Sequence, residues 1–368
     1  MRFKRPSIAT LMIGAGAIVF IAYLYFVDII EVARVISAMD MRIAAIAIAL
    51  DLLCILLFSL GWKVLISGWR LGIKDAFLFV LVSIFGDLMI PTGSVSGEVL
   101  RISLTSKKTG MGVSTVTASV ILHRLIMGIT FGIALAVGMA QLYAVVPEVT
   151  SQLFLAVILL EILLGAVGVF AVFNARKLQN FATRLLERGT GIIKFFRKGY
   201  DPEKGKSRLA NGFCEFGNSV GAVGKPRLIS SGLILTLRWF LIALIPYMIF
   251  DSLGHSVSYW IVLLVSVFAS MVQMIPVGIP GMIGVMEVSM TSFFIGFGIP
   301  ANVAASVTLL TRLIMFWFEL LLSAAVTSFV GTRSFVFGRG VKSASELTAR
   351  GASRGSLHHQ RRPSLCRP

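Results

Sequence analysis

Two glutamate–arginine sets recur at matched spacing in stretches otherwise apolar enough to cross a bilayer. Glu98 precedes Arg124 by 26 residues, and Glu287 precedes Arg312 by 25. An Arg or Asp at the centre of a spanning helix costs about 2.5–3.5 kcal/mol, so such groups carry a functional expectation. A guanidinium in an interior cavity offers forked donors and stays charged, which suits a lipid phosphate. The other reading is structural: Glu98 and Glu287 neutralise the two arginines, and the roles can alternate between conformations. Each glutamate follows a Gly/Pro-rich break, where a carboxylate caps free N–H groups or takes part in coupling or gating. Glu319 lies seven residues after Arg312, a spacing that predicts one helical face. It lines the same path or sits near the inner interface. Asp51, Asp87, Glu161 and Arg238 also fall inside apolar stretches, but without a repeated counterpart. His123, beside Arg124, reads either as a proton relay or as a hydrogen-bonded helix histidine.

The breaks are Pro91, Gly93 and Gly97 in the first set, and Pro276, Gly278, Pro280, Gly281 and Gly284 in the second. They free backbone groups that can face a ligand, or they simply reverse the chain. The flanking sequence repeats with them. Leu81-Val-Ser-Ile-Phe85 matches Leu264-Val-Ser-Val-Phe268, and Ile90-Pro-Thr-Gly93 matches Ile275-Pro-Val-Gly278. Ala118-Ser-Val120 recurs as Ala305-Ser-Val307, and Arg124-Leu-Ile-Met127 as Arg312-Leu-Ile-Met315. Because Pro, Gly, Glu and Arg are among the matches, an internal repeat is expected.

The elements that must position these residues are membrane helices. Of 368 residues, 57% are hydrophobic and 14% charged, against about a quarter charged in soluble domains. Six stretches are long enough to span: Ser7–Val27, Ile43–Ile66, Val113–Ala140, Ser151–Phe173, Leu228–Phe250 and Asn302–Val330. The net charge of +17 does not indicate a nucleic-acid partner, because the basic residues sit in loops between spans and are not interleaved with aromatics on a soluble module. The cysteines Cys54, Cys214 and Cys366 and the four histidines form no metal-binding or redox pattern, so no metal and no cofactor are expected. Met1–Pro6 and the apolar run after it are expected to be an uncleaved first span.

Of the 34 Lys and Arg, 29 fall in residues 1–6, 61–75, 100–112, 174–227 and 331–368. The positive-inside rule places these segments, and both termini, in the cytoplasm. Residues 28–42, 141–150 and 251–258 then belong outside. Ala76–Ile90 and Ser258–Ile275 cannot cross once under this assignment. Each is expected to form a re-entrant hairpin, entering from opposite faces, with its break inside the bundle. The chain thus reads as an all-α, polytopic helix bundle of two inverted repeats, at about 43–140 and 228–330 of a transmembrane domain over residues 1–330. A basic cytoplasmic linker (174–227) and a basic disordered tail (331–368) complete it. Inverted repeats with broken helices are the architecture of many secondary transporters.

The stretch from Ile90 to Arg101, the downstream Ala118–Arg124, then Ile275–Val288 and Thr311–Trp317 together resemble the lysylphosphatidylglycerol synthase transmembrane region, a flippase-like family. Gly-Glu-x-x-Arg at Gly97–Arg101, which brings in Arg101, and Pro-Gly-x-x-Gly-x-x-Glu at Pro280–Glu287 are its most recognisable parts. The resemblance runs to about Val330. It implies a fold that moves, or helps to move, lipids between leaflets. In the aminoacyl-lipid synthases of the family a soluble acyltransferase-like domain follows; none of that size follows Val330, so aminoacylation is not expected here. The expectation is a non-enzymatic lipid flippase-like transporter in the cell membrane, acting on a phospholipid or a polyprenyl-phosphate-linked glycolipid. Arg124, Arg312, Glu98, Glu287, Arg101 and Glu319 are its candidate headgroup residues. The rivals are an integral membrane lipid-modifying transferase and a non-transporting membrane partner of a separate glycosyltransferase or synthase.

Overall fold

The computed structural model describes residues 40–66, 71–90, 95–143, 216–275 and 277–330, with single positions scattered through 20–37 and 159–212. Pro91, Gly93 and Pro276, most of the spans expected at Ser7–Val27 and Ser151–Phe173, most of the linker and the tail lie outside the described residues.

The described residues fold into helices and turns, without a strand. They are α1 (Met41–Leu65), α2 (Ile73–Met89), α3 (Val95–Thr109), α4 (Val113–Tyr143), α5 (Lys225–Ser252), α6 (Tyr259–Met274), α7 (Val285–Gly296) and α8 (Ala301–Val330). At 1.5 Å rise per residue, α1, α4, α5 and α8 are each long enough for a roughly 30 Å hydrocarbon core. The chain is an integral membrane protein. The other four helices, of 17, 15, 16 and 12 residues, each fall short of that thickness.

The short helices come in two pairs, and each pair turns back on itself. Lys108, in the last turn of α3, reaches Asp75, in the first turn of α2, at 3.7 Å. The outer ends of α2 and α3 are therefore side by side. In the second pair, Phe297 at the end of α7 packs in one cluster with Tyr259 and Trp260 at the start of α6, and the rings of Phe268 and Phe293 lie 5.6 Å apart. Each pair is followed by a long helix, so the order of short helix, break, short helix and long helix occurs twice. The two pairs also meet, since α2 packs against the Pro280–Met282 turn of the second break.

Small residues allow the long helices to approach closely. A Cβ at Gly61 on α1 would stand 2.9 Å from Leu235 on α5, and the Ser231 hydroxyl donates to the Gly61 carbonyl at 2.9 Å. Gly138 on α4 makes the same room for Leu264 on α6. Within α8 the α-helical Ala301–Arg312 is followed by a π turn over Leu313–Phe318. A π turn changes the helical register, so the seven-residue spacing from Arg312 to Glu319 does not place both on one face, as the sequence predicts for an unbroken α-helix.

Candidate functional site

Each break is clamped by the glutamate and arginine that recur in the sequence. In the first, Nε of Arg124 on α4 donates to Oε1 of Glu98 in the first turn of α3. A second carboxylate handles the helix start: Asp87 on α2 accepts the Gly97 N–H through Oδ1 at 2.8 Å. Ser96 donates to the Gly86 carbonyl at 3.0 Å. Gly97 has no room for a side chain, because a Cβ there would collide with the Ser83 carbonyl oxygen and the Asp87 carboxylate.

In the second break one carboxylate does both jobs. Glu287 accepts the Gly284 N–H through Oε2 at 2.7 Å and the Arg312 Nε–H through Oε1 at 2.8 Å. Arg312 Nη2 also donates to the Gly281 carbonyl at 2.8 Å, and its guanidinium stacks 4.0 Å from the Phe316 ring centroid. Gly281 (φ 60°) and Gly284 (φ 86°) occupy the left-handed region, with Met282 between them at φ 50°. That conformation is strained for a residue with a Cβ. Pro280 opens the turn, and Gly278 precedes it, also at positive φ. The two clamps differ in enclosure. The side chains of Arg312 and Glu287 are 9% and 3% exposed, those of Arg124 and Glu98 33% and 22%.

Arg101 is not in either clamp. It is 1% exposed, and its Nε and Nη1 have no hydrogen-bond partner among the described residues. Its guanidinium lies against two rings of α1, 4.6 Å from the Trp62 centroid and 5.7 Å from that of Phe58. Trp62 is fixed by its indole N–H, which donates to Ser119 Oγ on α4 at 3.1 Å. Phe58 gathers two further groups. The ring of His123, fully buried on α4, meets it edge-on at 4.6 Å. The guanidinium of Arg238 on α5 lies 5.4 Å from it, with its Nε buried and unpartnered among the described residues. Two guanidinium groups and an imidazole thus surround one phenylalanine inside the bundle.

This box links the two breaks. On one side Arg101 lies within electrostatic range of Arg124, Glu98 and Asp87. On the other, Arg238 lies within electrostatic range of Asp51 on α1 and Glu319 on α8. Glu319 in turn feels Arg312. A track of charged groups therefore runs from the first clamp to the second across α3, α4, α1, α5 and α8. On the outer side of α4, an apolar groove of about 390 Å³ lies between α4 and α5. Leu122 and Leu125, which line it, bracket His123 and Arg124 in sequence.

The six candidate residues named from the sequence all lie in the clamps or on this track. The sequence did not single out Phe58 and Trp62, found no repeated counterpart for Arg238 and Asp51, and left His123 as either a proton relay or a hydrogen-bonded helix histidine. An aromatic on a spanning helix reads the same whether it faces lipid or cations, and Arg238 and Asp51 lack a repeat counterpart.

The family model for the lysylphosphatidylglycerol synthase TM region matches residues 7–323. A UPF0104 membrane protein of Pyrococcus horikoshii is 28% identical over 323 residues, covering 85% of this chain and 94% of the relative. A UPF0104 membrane protein of Methanothermobacter thermautotrophicus is 24% identical over 327 residues, covering 88% and 95%. Another, of Methanocaldococcus jannaschii, is 24% identical over 324 residues, covering 84% and 90%. The match takes in both clamped breaks and every residue of the track between them, and the chain belongs to the lysylphosphatidylglycerol synthase TM region family of integral membrane proteins.

Proposed function

We propose that this protein moves an anionic phospholipid, or another phosphate-bearing lipid, between leaflets of the cell membrane without changing it chemically. The observation that carries the reading is Arg101, a buried guanidinium whose Nε and Nη1 donors have no partner among the described residues. A buried charge with idle donors is costly unless something completes it. A phosphate takes forked donors from a guanidinium, and the aromatic walls of Phe58 and Trp62 hold that guanidinium flat. The headgroup would pass along the charged track from Arg124 and Glu98 toward Glu319, Arg312 and Glu287. The acyl chains would follow the apolar groove beside α4. The two broken pairs would enter from opposite faces as inverted repeats, with both termini cytoplasmic, as the distribution of Lys and Arg suggests.

The test is leaflet-specific labelling of phosphatidylglycerol and of phosphatidylcholine in proteoliposomes holding the purified protein. Faster exchange of the anionic lipid, recovered unaltered, is the expected result. A modified lipid would make the protein a transferase, and no exchange above protein-free vesicles would make it a non-transporting partner of another enzyme.

A further inference from the structure

Three side chains with idle polar atoms converge on Phe58. Arg101 on α3 brings a buried Nε and Nη1, Arg238 on α5 a buried Nε, and His123 on α4 both ring nitrogens. None of these five atoms has a hydrogen-bond partner among the described residues. Arg101 is 1% exposed and His123 0%. The Arg101 guanidinium lies 5.7 Å from the Phe58 ring centroid, that of Arg238 5.4 Å, and the imidazole centroid 4.6 Å. Buried polar groups are nearly always paired, so idle atoms gathered around one ring point to an occupant.

These atoms do not all need the same partner. A guanidinium can only donate, and a phosphate oxygen answers it. An imidazole beside two guanidinium groups is neutral, because a third like charge at that range is unfavourable. A neutral imidazole has one N–H and one bare nitrogen, and whichever nitrogen is bare can only accept. A phosphate diester has no proton to offer it. The anion that satisfies Arg101 and Arg238 therefore leaves one atom of the box unpaired, and that atom needs a donor on the same molecule. An ammonium group would donate, but it would stand among the guanidinium groups. A hydroxyl donates without adding charge.

The position of His123 gives such a molecule a way to lie. The turn of α4 that carries His123 also lines the apolar groove, through Leu122, Leu125 and Ile126. Acyl chains in the groove and a headgroup in the box are then separated by the width of one helix, about 10 Å.

We infer that His123 selects the headgroup: the box takes a lipid whose phosphate carries a hydroxylated substituent, such as glycerol or another polyol. The phosphate is held by Arg101 and Arg238, and a headgroup hydroxyl donates to the bare nitrogen of His123. This inference rests on the anionic-lipid reading above and names the headgroup chemistry within it.

The test uses two probes that differ only in their hydroxyl groups. Dihexanoyl phosphatidylglycerol and dihexanoyl phosphatidylpropanol are both singly charged diesters with a three-carbon headgroup, and the second has no hydroxyl to donate. Each is titrated against the full-length protein in detergent. Phosphatidylglycerol should bind roughly tenfold tighter or more, because its analogue strands a buried acceptor. His123→Phe puts a ring that cannot accept in the same place, and this variant should bind the two lipids alike. His123→Leu serves in the same comparison should the first variant fail to fold, and the wild-type comparison decides the hydroxyl contact by itself.

Equal or weaker binding of phosphatidylglycerol by the wild type overturns the hydroxyl contact and leaves the anionic-lipid reading in place, with an ordered water as the partner of His123. A preference for phosphatidylglycerol that survives substitution of His123 overturns the assignment to that residue. Binding of neither lipid by the folded protein overturns the anionic-lipid reading, and this inference with it.

Discussion

Phe316 occupies the space in which Gly281 would carry a side chain: a Cβ at Gly281 would overlap the ring edge. The same ring supports the Arg312 guanidinium from its face. The second break is thus held by an arginine, a glycine and a phenylalanine fitted against one another. Gly281→Ala has to displace Phe316 and also adopt a positive φ. It should lower stability by roughly 1–3 kcal/mol from backbone strain, with overpacking in addition. Gly128→Ala, in the middle of α4 with open space at its Cβ, should be neutral or slightly stabilising. Thermal unfolding in detergent compares the two; equal midpoints would show that the ring does not confine Gly281.

The two clamps should fail at different cost. Arg312→Ala leaves Glu287 buried with its main partner gone, a loss of about 3–5 kcal/mol. The Arg124–Glu98 pair is several times more exposed, and Arg124→Ala should cost less than Arg312→Ala. Urea or thermal unfolding of the two variants checks the order. A larger loss at Arg124 would contradict the geometry.

Arg101→Lys keeps the charge but removes the planar fork stacked on Trp62. Lipid exchange should fall at least tenfold, normalised to folded protein, since the contact it removes would be worth more than about 1.4 kcal/mol at the headgroup. Arg124→Lys, where one hydrogen bond to Glu98 is the described contact, should lower the rate less than Arg101→Lys. Wild-type exchange by Arg101→Lys would remove the headgroup role of the box.

Cysteine accessibility tests the opposed entry of the two broken pairs. In a background lacking Cys54, Cys214 and Cys366, Lys108→Cys at the outer end of α3 should react with an impermeant reagent only from the cytoplasmic side. Ala301→Cys, just beyond the end of α7, should react only from the opposite side. Labelling of both from one side would sink the inverted arrangement.

Much of this architecture is legible in the chain because membranes penalise charge and lipid-facing helices have little use for proline. Glu98, Arg124, Glu287 and Arg312 stand out against apolar sequence, and their repeat exposes the pairing before any coordinates are known. The glycines at 97, 281 and 284 stand out for the same reason. What the sequence hides is contact between distant positions of ordinary type. Arg101 and Arg238 come to share the Phe58 ring from positions far apart in the chain, and nothing in either neighbourhood encodes that meeting. Phe58 and Trp62 are two aromatics among 27 phenylalanines and five tryptophans. The π turn has no local signature either, yet it decides where Glu319 stands relative to Arg312.

The division of labour at the breaks makes the two halves unequal under load. In the first, Asp87 holds the helix start and Glu98 holds the arginine, so one restraint can be released while the other stays closed. In the second, a single carboxylate carries both restraints, and releasing either disturbs the other. A molecule assembled from two such halves behaves as a joint with one compliant leaf and one stiff leaf. Motion that begins in the bundle should be taken up first around α3 and α4, whose restraints are divided between two carboxylates.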